Sequence, residues 1–241
     1  MKTSFRSYDY EASFVRLDAY LDASNDLFEE VDEIPSRDRL TYSNGFYIKH
    51  CTALFVDIRR SSQLPDKYTR PRLVKIYRSY ISEVVAILNG NLNCAEVSIV
   101  GDAVYGIFNT PYQTDIDSVF SSAAKVQSLV NALNCKLSKR GIEPISIGIG
   151  IDYGRLLMVQ AGYSGSGLNE VVWMGTAVNN AAKICRFGNQ TYSDHPLMVS
   201  QVIYDNLDDH NKSLLRFNYH RECYHGNVIN TVMDAWYQSN C

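Results

Sequence analysis

Apolar positions along the chain change period several times, and each change marks an element. From Tyr10 to Val31 they recur at Phe14, Leu17, Leu21 and Phe28 among many acids, which predicts one amphipathic helix. Ile34-Pro35-Ser36 ends it. The pattern does not decide whether this helix packs on its own domain or on a partner chain. Ala53 to Val56 is a short apolar run ending in Asp57, as a buried strand would be, with a turn following at Ser61 and Ser62. Pro71 suits the first position of a helix, Leu73, Ile76, Tyr80, Val84 and Leu88 keep helical spacing, and Gly90 suits the residue past its end.

Val97 to Phe108 reads as two strands joined at Gly101-Asp102. Thr114 or Asp115 can cap a second long helix, which Gly141 stops. Ile145, Ile147, Ile149 and Ile151 alternate with smaller residues, a strand that Asp152-Tyr153-Gly154 would turn into another at Leu156 to Val159. A Gly/Ser-rich loop over 162–167, a strand at Val171 to Trp173, a turn at Gly175 and a helix from Ala177 to Cys185 follow. The tail carries a short strand at Leu197 to Val199, a short helix capped by Ser200, and a hairpin turning near Gly226-Asn227. The order strand-helix-strand-strand-helix-strand over 51–160 predicts an α+β fold: a ferredoxin-like βαββαβ core in an extended sheet flanked by helices.

Composition narrows the function. With 46% hydrophobic and 20% charged residues, the chain can build an ordinary core. A net charge of -3 without a basic cluster argues against nucleic acid or an anionic membrane as partner. No apolar run is long enough to span a bilayer, and the first 22 residues lack a signal-peptide centre. The six cysteines show no CxxC spacing and read as buried, reduced thiols of a cytoplasmic protein. No HExxH-type spacing is present either.

The chemistry centres on two acids. Asp57 ends an apolar strand and Asp102 sits in a tight hairpin turn, on strands that neighbour each other in the predicted fold. Two hard cations held by few carboxylates plus substrate phosphates is a common arrangement for phosphoryl transfer. Either aspartate alone is an ordinary turn residue. Each, however, lies inside a longer string: Phe55-Val56-Asp57-Ile58-Arg59-Arg60-Ser61-Ser62 and Ile99-Val100-Gly101-Asp102-Ala103-Val104-Tyr105. A third string runs from Trp173-Met174-Gly175-Thr176-Ala177-Val178-Asn179 to Asn180-Ala181-Ala182-Lys183.

In order and spacing these strings resemble the catalytic domain of class III nucleotidyl (adenylate/guanylate) cyclases, over about residues 48 to 238. The resemblance divides the chain into an N-terminal helical extension with an incoming strand (1–47) and a catalytic domain (48–241). It implies a head-to-tail homodimer with shared active sites and two divalent ions, Mn2+ or Mg2+. One subunit would supply Asp57, Asp102 and the Ile58 carbonyl; the other would supply Asn179 to orient the ribose and Lys183 for transition-state charge. Lys183 stands where the family usually has arginine, with Arg186 a candidate substitute. The last hairpin carries His225 and Asn227 but not the family's phosphate-binding lysine. Backbone N–H groups from Arg59 to Ser62, or the Arg59 and Arg221 side chains, would then hold phosphates.

The two base-reading positions of purine cyclases are Ser98 and Val172 here, so neither the adenine nor the guanine pattern is present. The leader from Ile34 to Leu40, the strand start Asn44 to Tyr47 and the turn after Asp57 resemble the bacterial pyrimidine cyclases of Pycsar anti-phage systems. That subgroup makes cyclic UMP or cyclic CMP and signals to a nucleotide-responsive effector protein. Ser98 can donate to a uracil carbonyl, which leans the choice to UTP; a hydroxyl can also accept, so CTP stays open. Trp173, with Phe46, Tyr47 and Tyr105, can stack on a small base or simply fill the core. A catalytically silent homologue is the alternative from another class. A diguanylate cyclase or palm-type polymerase ranks last, since no GGDEF-like string or basic channel is present.

Overall fold

The computed structural model describes residue 3 and residues 5–241. Among these residues it contains nine strands and eight helices. The first elements are α1 (Tyr10–Leu21), β1 (Phe28–Val31), β2 (Gly45–Ile58), α2 (Leu64–Lys67) and α3 (Arg70–Asn89). The middle of the chain forms β3 (Cys94–Val100), β4 (Ala103–Asn109), α4 (Gln113–Ser138), β5 (Ile147–Tyr163), β6 (Leu168–Met174) and α5 (Thr176–Cys185). The tail adds β7 (Leu197–Val199), α6 (Gln201–Asn206), α7 (Asp209–Ser213), β8 (Arg216–Asn218), β9 (Cys223–Gly226) and α8 (Thr231–Asn240).

One sheet runs β3-β4-β2-β5-β7-β9-β8, with β1 parallel on β2 and β6 antiparallel on β5. The segment β2-α3-β3-β4-α4-β5 has the strand order β3-β4-β2-β5, all antiparallel, which is the expected ferredoxin-like core. Alternation along β2 serves two apolar clusters. Leu54, Val56 and Ile58 pack with Ile76, Tyr80 and Val84 of α3 and with α4, whereas Cys51 and Ala53 pack with Ile107, Trp173, Ala177 and Ala181.

The structure corrects several expected boundaries. The helix ends at Leu21 instead of reaching Val31, and Phe28–Val31 is a strand. Ser24 caps a 3-10 turn there, and the β1 backbone pairs with Gly45 to Ile48. Gly45 suits that pairing, because a Cβ there would meet the Phe28 ring at 3.1 Å. β5 runs unbroken through Asp152-Tyr153-Gly154; Asp152 is buried, accepting from the Tyr153 N–H at 2.9 Å and the Asn180 amide at 2.9 Å. Tyr112, not Thr114 or Asp115, is the N-cap of α4; Asp115 reaches back to the Tyr112 N–H at 3.0 Å. The tail hairpin turns between Asn218 and Cys223, with Glu222 at φ 53, and Gly226 ends β9. Four cysteines are free, three of them buried, but Cys135 and Cys241 form a disulfide that ties the end of α8 to α4.

Candidate active site

The register Val56↔Val104 carries β2 on to Asp57 and β4 back to the turn that holds Asp102. Gly101 sits at φ 65 in that turn, where a side chain is disfavoured. The two carboxyls meet: burial, and then the neighbouring Asp102 charge, push the Asp57 carboxyl above its usual range, against the pull of Arg59 and Arg186. Asp102 Oδ2 is buried without a hydrogen-bond partner. Two close carboxylates, one with an orphaned oxygen, form an electron-rich site that a cation would complete.

Arg59 is the cation present. Its Nη2 lies 2.6 Å from Asp57 Oδ2, and its Nη1 donates to the Arg186 carbonyl at 2.9 Å. This guanidinium thus links the carboxylate edge to the C-terminal end of α5, and a metal entering at Asp57 must compete with it. Arg60 follows at φ 56, a left-handed backbone that turns the chain into the 3-10 turn of Ser61 and Ser62. The Arg59 N–H is already used by the Ser146 carbonyl at 2.7 Å, which withdraws it from the set expected to bind phosphate.

The remaining candidates lie elsewhere on the chain. Asn179 and Lys183 are exposed, one turn apart on α5. Arg186 does not join Lys183; its charge is felt at Asp57. Lys183 and Arg221 line a common cavity of about 420 Å³ with Asp152, Asn180 and Ser200. Arg221 is held there by Asp194, with contacts of 3.2 and 2.8 Å. His225 is buried, between the His195 N–H at 3.1 Å and Arg216 Nε at 3.1 Å, and does not open onto that cavity.

Ser98 lies on β3 beside Tyr105, whose ring stacks on Phe55 at 4.7 Å. Its hydroxyl donates to Glu96 Oε1 at 3.4 Å, so Ser98 offers lone pairs rather than the expected donor. Val172 is half-buried on β6, and Trp173 is buried with Nε1 unpartnered. Sequence reasoning missed Glu96, Arg37 and Asp194. Glu96 was detectable as an acid inside an apolar strand, but its partner Arg37 lies in another segment of the chain.

The donor set fits hard divalent cations: carboxylate oxygens from Asp57 and Asp102, with the Ile58 carbonyl adjacent. Among the described residues no group of three or more His, Cys, Asp or Glu converges. Also among them, no helix is long and apolar enough to cross a membrane.

This fold is that of class III cyclase catalytic domains. An adenylyl cyclase-like ATP-binding protein of Pseudomonas aeruginosa superposes with a TM-score of 0.65 at 18% identity, covering 86% of this chain and 45% of that one. The adenylyl cyclase CyaB of P. aeruginosa gives 0.60 at 20% identity, covering 72% and 85%. The chain belongs to the adenylate and guanylate cyclase catalytic domain family, whose model matches residues 47–230. Its relatives include a uridylate cyclase of Treponema porcinum, 39% identical over 86% of this chain and 72% of that protein. A uridylate cyclase of Gulbenkiania mobilis is 37% identical over 86% and 82%. A cytidylate cyclase of Staphylococcus aureus is 28% identical over 76% and 45%.

Proposed function

We propose that the chain converts UTP to 3′,5′-cyclic UMP and pyrophosphate. The observation that carries the cyclase reading is the meeting of Asp57 and Asp102 around an orphaned carboxylate oxygen. The choice of UTP rests on the two relatives named uridylate cyclase at 37% and 39% identity, and on the absence of either purine pattern at Ser98 and Val172. CTP is the second reading, supported by the more distant cytidylate cyclase. A silent homologue would have no need to keep two buried-edge acids facing each other.

In this reading the 3′-oxygen bonds to the α-phosphorus and pyrophosphate leaves. Asp57, Asp102 and the Ile58 carbonyl would hold two divalent ions, Mg2+ or Mn2+. When bound, these ions acidify the 3′-hydroxyl and offset charge on the departing pyrophosphate. Arg59 swings off Asp57 toward the phosphates, with Ser61 and Ser62 at the turn beside it. Asn179 orients the ribose, and Lys183 and Arg221 meet the developing negative charge. Asn179 and Lys183 come from a second copy, so the working unit is a homodimer with shared sites. Residues 48–241 are the catalytic unit and 1–47 its extension. The product would activate a cyclic-nucleotide-responsive effector in anti-phage defence, in the cytoplasm.

The test is to incubate pure protein with each of the four triphosphates and Mn2+ and to identify products by mass. Preference for ATP or GTP overturns the base assignment, and no product from any of them overturns the cyclase reading. Mixing inactive Asp57→Ala and Asn179→Ala chains should restore activity. No restoration despite chain exchange refutes the shared site.

A further inference from the structure

The strands that carry the two base-reading positions, β3 with Ser98 and β6 with Val172, are joined by a residue from neither. Arg37 sits in the 3-10 turn Arg37–Arg39, capped by Ser36. Its Nη2 lies 2.8 Å from Glu96 Oε1 on β3, and its Nη1 lies 3.9 Å from Glu170 Oε1 on β6. The neighbouring Leu40 and Ile34 pack into the second apolar cluster, which seats the turn against the sheet.

Glu96 is the unusual partner. Its side chain is 4% exposed, while that of Arg37 is 55% exposed. A buried carboxylate that leans on one solvent-reaching guanidinium and one hydroxyl is a costly way to fill a strand position. An apolar residue would serve packing at least as well. Both contacts, from Arg37 and from Ser98, use Oε1, and neither uses Oε2.

We propose that Arg37 and Glu96 read the pyrimidine base, with Glu96 as the residue that selects uracil over cytosine. The inference rests on the pyrimidine-cyclase reading above and gives that site its recognition chemistry. The uracil edge runs acceptor, donor, acceptor: O4, N3–H, O2. It needs donor, acceptor, donor in return. Arg37 N–H meets O4, and Glu96 Oε2 accepts from N3–H. Cytosine reverses the first two groups. Its amine would face the guanidinium, and its N3 lone pair would face the carboxylate. Buried groups left unmatched in this way discriminate far more strongly than shape does.

The experiment compares wild type, Glu96→Gln and Arg37→Ala with UTP and CTP, alone and in competition, alongside thermal melting. Glutamine keeps the size of Glu96 and can offer its amide N–H to cytosine N3. Glu96→Gln is therefore expected to shift the UTP-to-CTP ratio of kcat/KM at least tenfold toward CTP, with a melting temperature near wild type. Arg37→Ala is expected to raise KM for UTP tenfold or more while kcat changes less. Equal loss on both triphosphates, or an unchanged ratio in a folded Glu96→Gln protein, overturns the proposal. The wild-type reaction separates the two claims. If wild type prefers another base, the UTP reading fails on that measurement alone. Base reading by Glu96 then stands only if Glu96→Gln still moves the ratio between bases.

Discussion

Helix α5 lies directly on β5, and Gly148 and Gly150 allow it. A Cβ on Gly150 would sit 2.5 Å from the Cys185 nitrogen and 2.8 Å from Cys185 Cα, and closer still to the Ala181 carbonyl oxygen. Ordinary contact begins at 3.4 Å, so Gly150→Ala forces the helix backbone back by at least about 0.9 Å (3.4 minus 2.5). The obstructing atoms are backbone, so no side chain can rotate away. Overpacking of this kind costs about 1–3 kcal/mol. The same displacement moves Asn179 and Lys183, and a misplacement of about 1 Å can cost on the order of 100-fold in rate. The matched control is Gly154→Ala on the same strand, whose Cβ would meet only Ala177 Cβ at 3.5 Å. Urea unfolding and steady-state cyclisation of both variants make the comparison. Gly150→Ala should lose stability and lose rate beyond what unfolding explains, whereas Gly154→Ala should change little. Wild-type rate and stability in Gly150→Ala, or equal damage from both, would refute the reasoning.

Asp102→Asn removes the like charge facing Asp57. It should stabilise the metal-free protein by up to about 1 kcal/mol and abolish the rise in melting temperature expected of wild type on adding Mn2+. An undiminished Mn2+ response would place the cation elsewhere. Burial, the nearby His195 and Arg216 push the His225 imidazole down to about 4 from its ordinary 6.5. Between those values the unfolded ring binds the extra proton, so stability should fall as pH drops from 6.5 to 4, by at most about 1.4 kcal/mol per unit. His225→Gln should flatten that slope, and an unchanged slope counts against the assignment. Reducing Cys135–Cys241, which closes a separation of 106 residues, should cost about 2–4 kcal/mol. A urea midpoint insensitive to dithiothreitol would contradict the bond.

The core order of strands and helices was readable because α3, α4 and the Ile147-Ile149-Ile151 stretch bury one face at a regular period. The placement of Asp57 and Asp102 on neighbouring strands was readable for a related reason. Asp57 lies near the end of β2 and Asp102 in the β3–β4 turn, and the pairing of β2 with β4 follows from that order. What escaped depends on partners distant in the chain. Phe28–Val31 carries a helix-compatible pattern, and only its pairing with Gly45 to Ile48 makes it a strand. Asp152-Tyr153-Gly154 has turn chemistry, yet Asn180 supplies Asp152 with a partner inside a continuous strand. Arg37 and Glu96 are 59 positions apart (96 minus 37), and nothing local couples them. The hydroxyl of Ser98 could be assigned as donor or acceptor only once Glu96 was seen beside it.

The two acids at the sheet edge are held in different ways. Asp57 belongs to β2, where it pairs with Gly148 of β5 and follows Val56, which pairs with Val104 of β4, so its backbone is held within the sheet. Asp102 rides on a hairpin tip just after exposed Val100 and Gly101, where few contacts hold the backbone. Spacing between the carboxylates is therefore tuned from one side only. Changes of residue or tension in that tip would retune cation spacing while leaving the anchored side untouched.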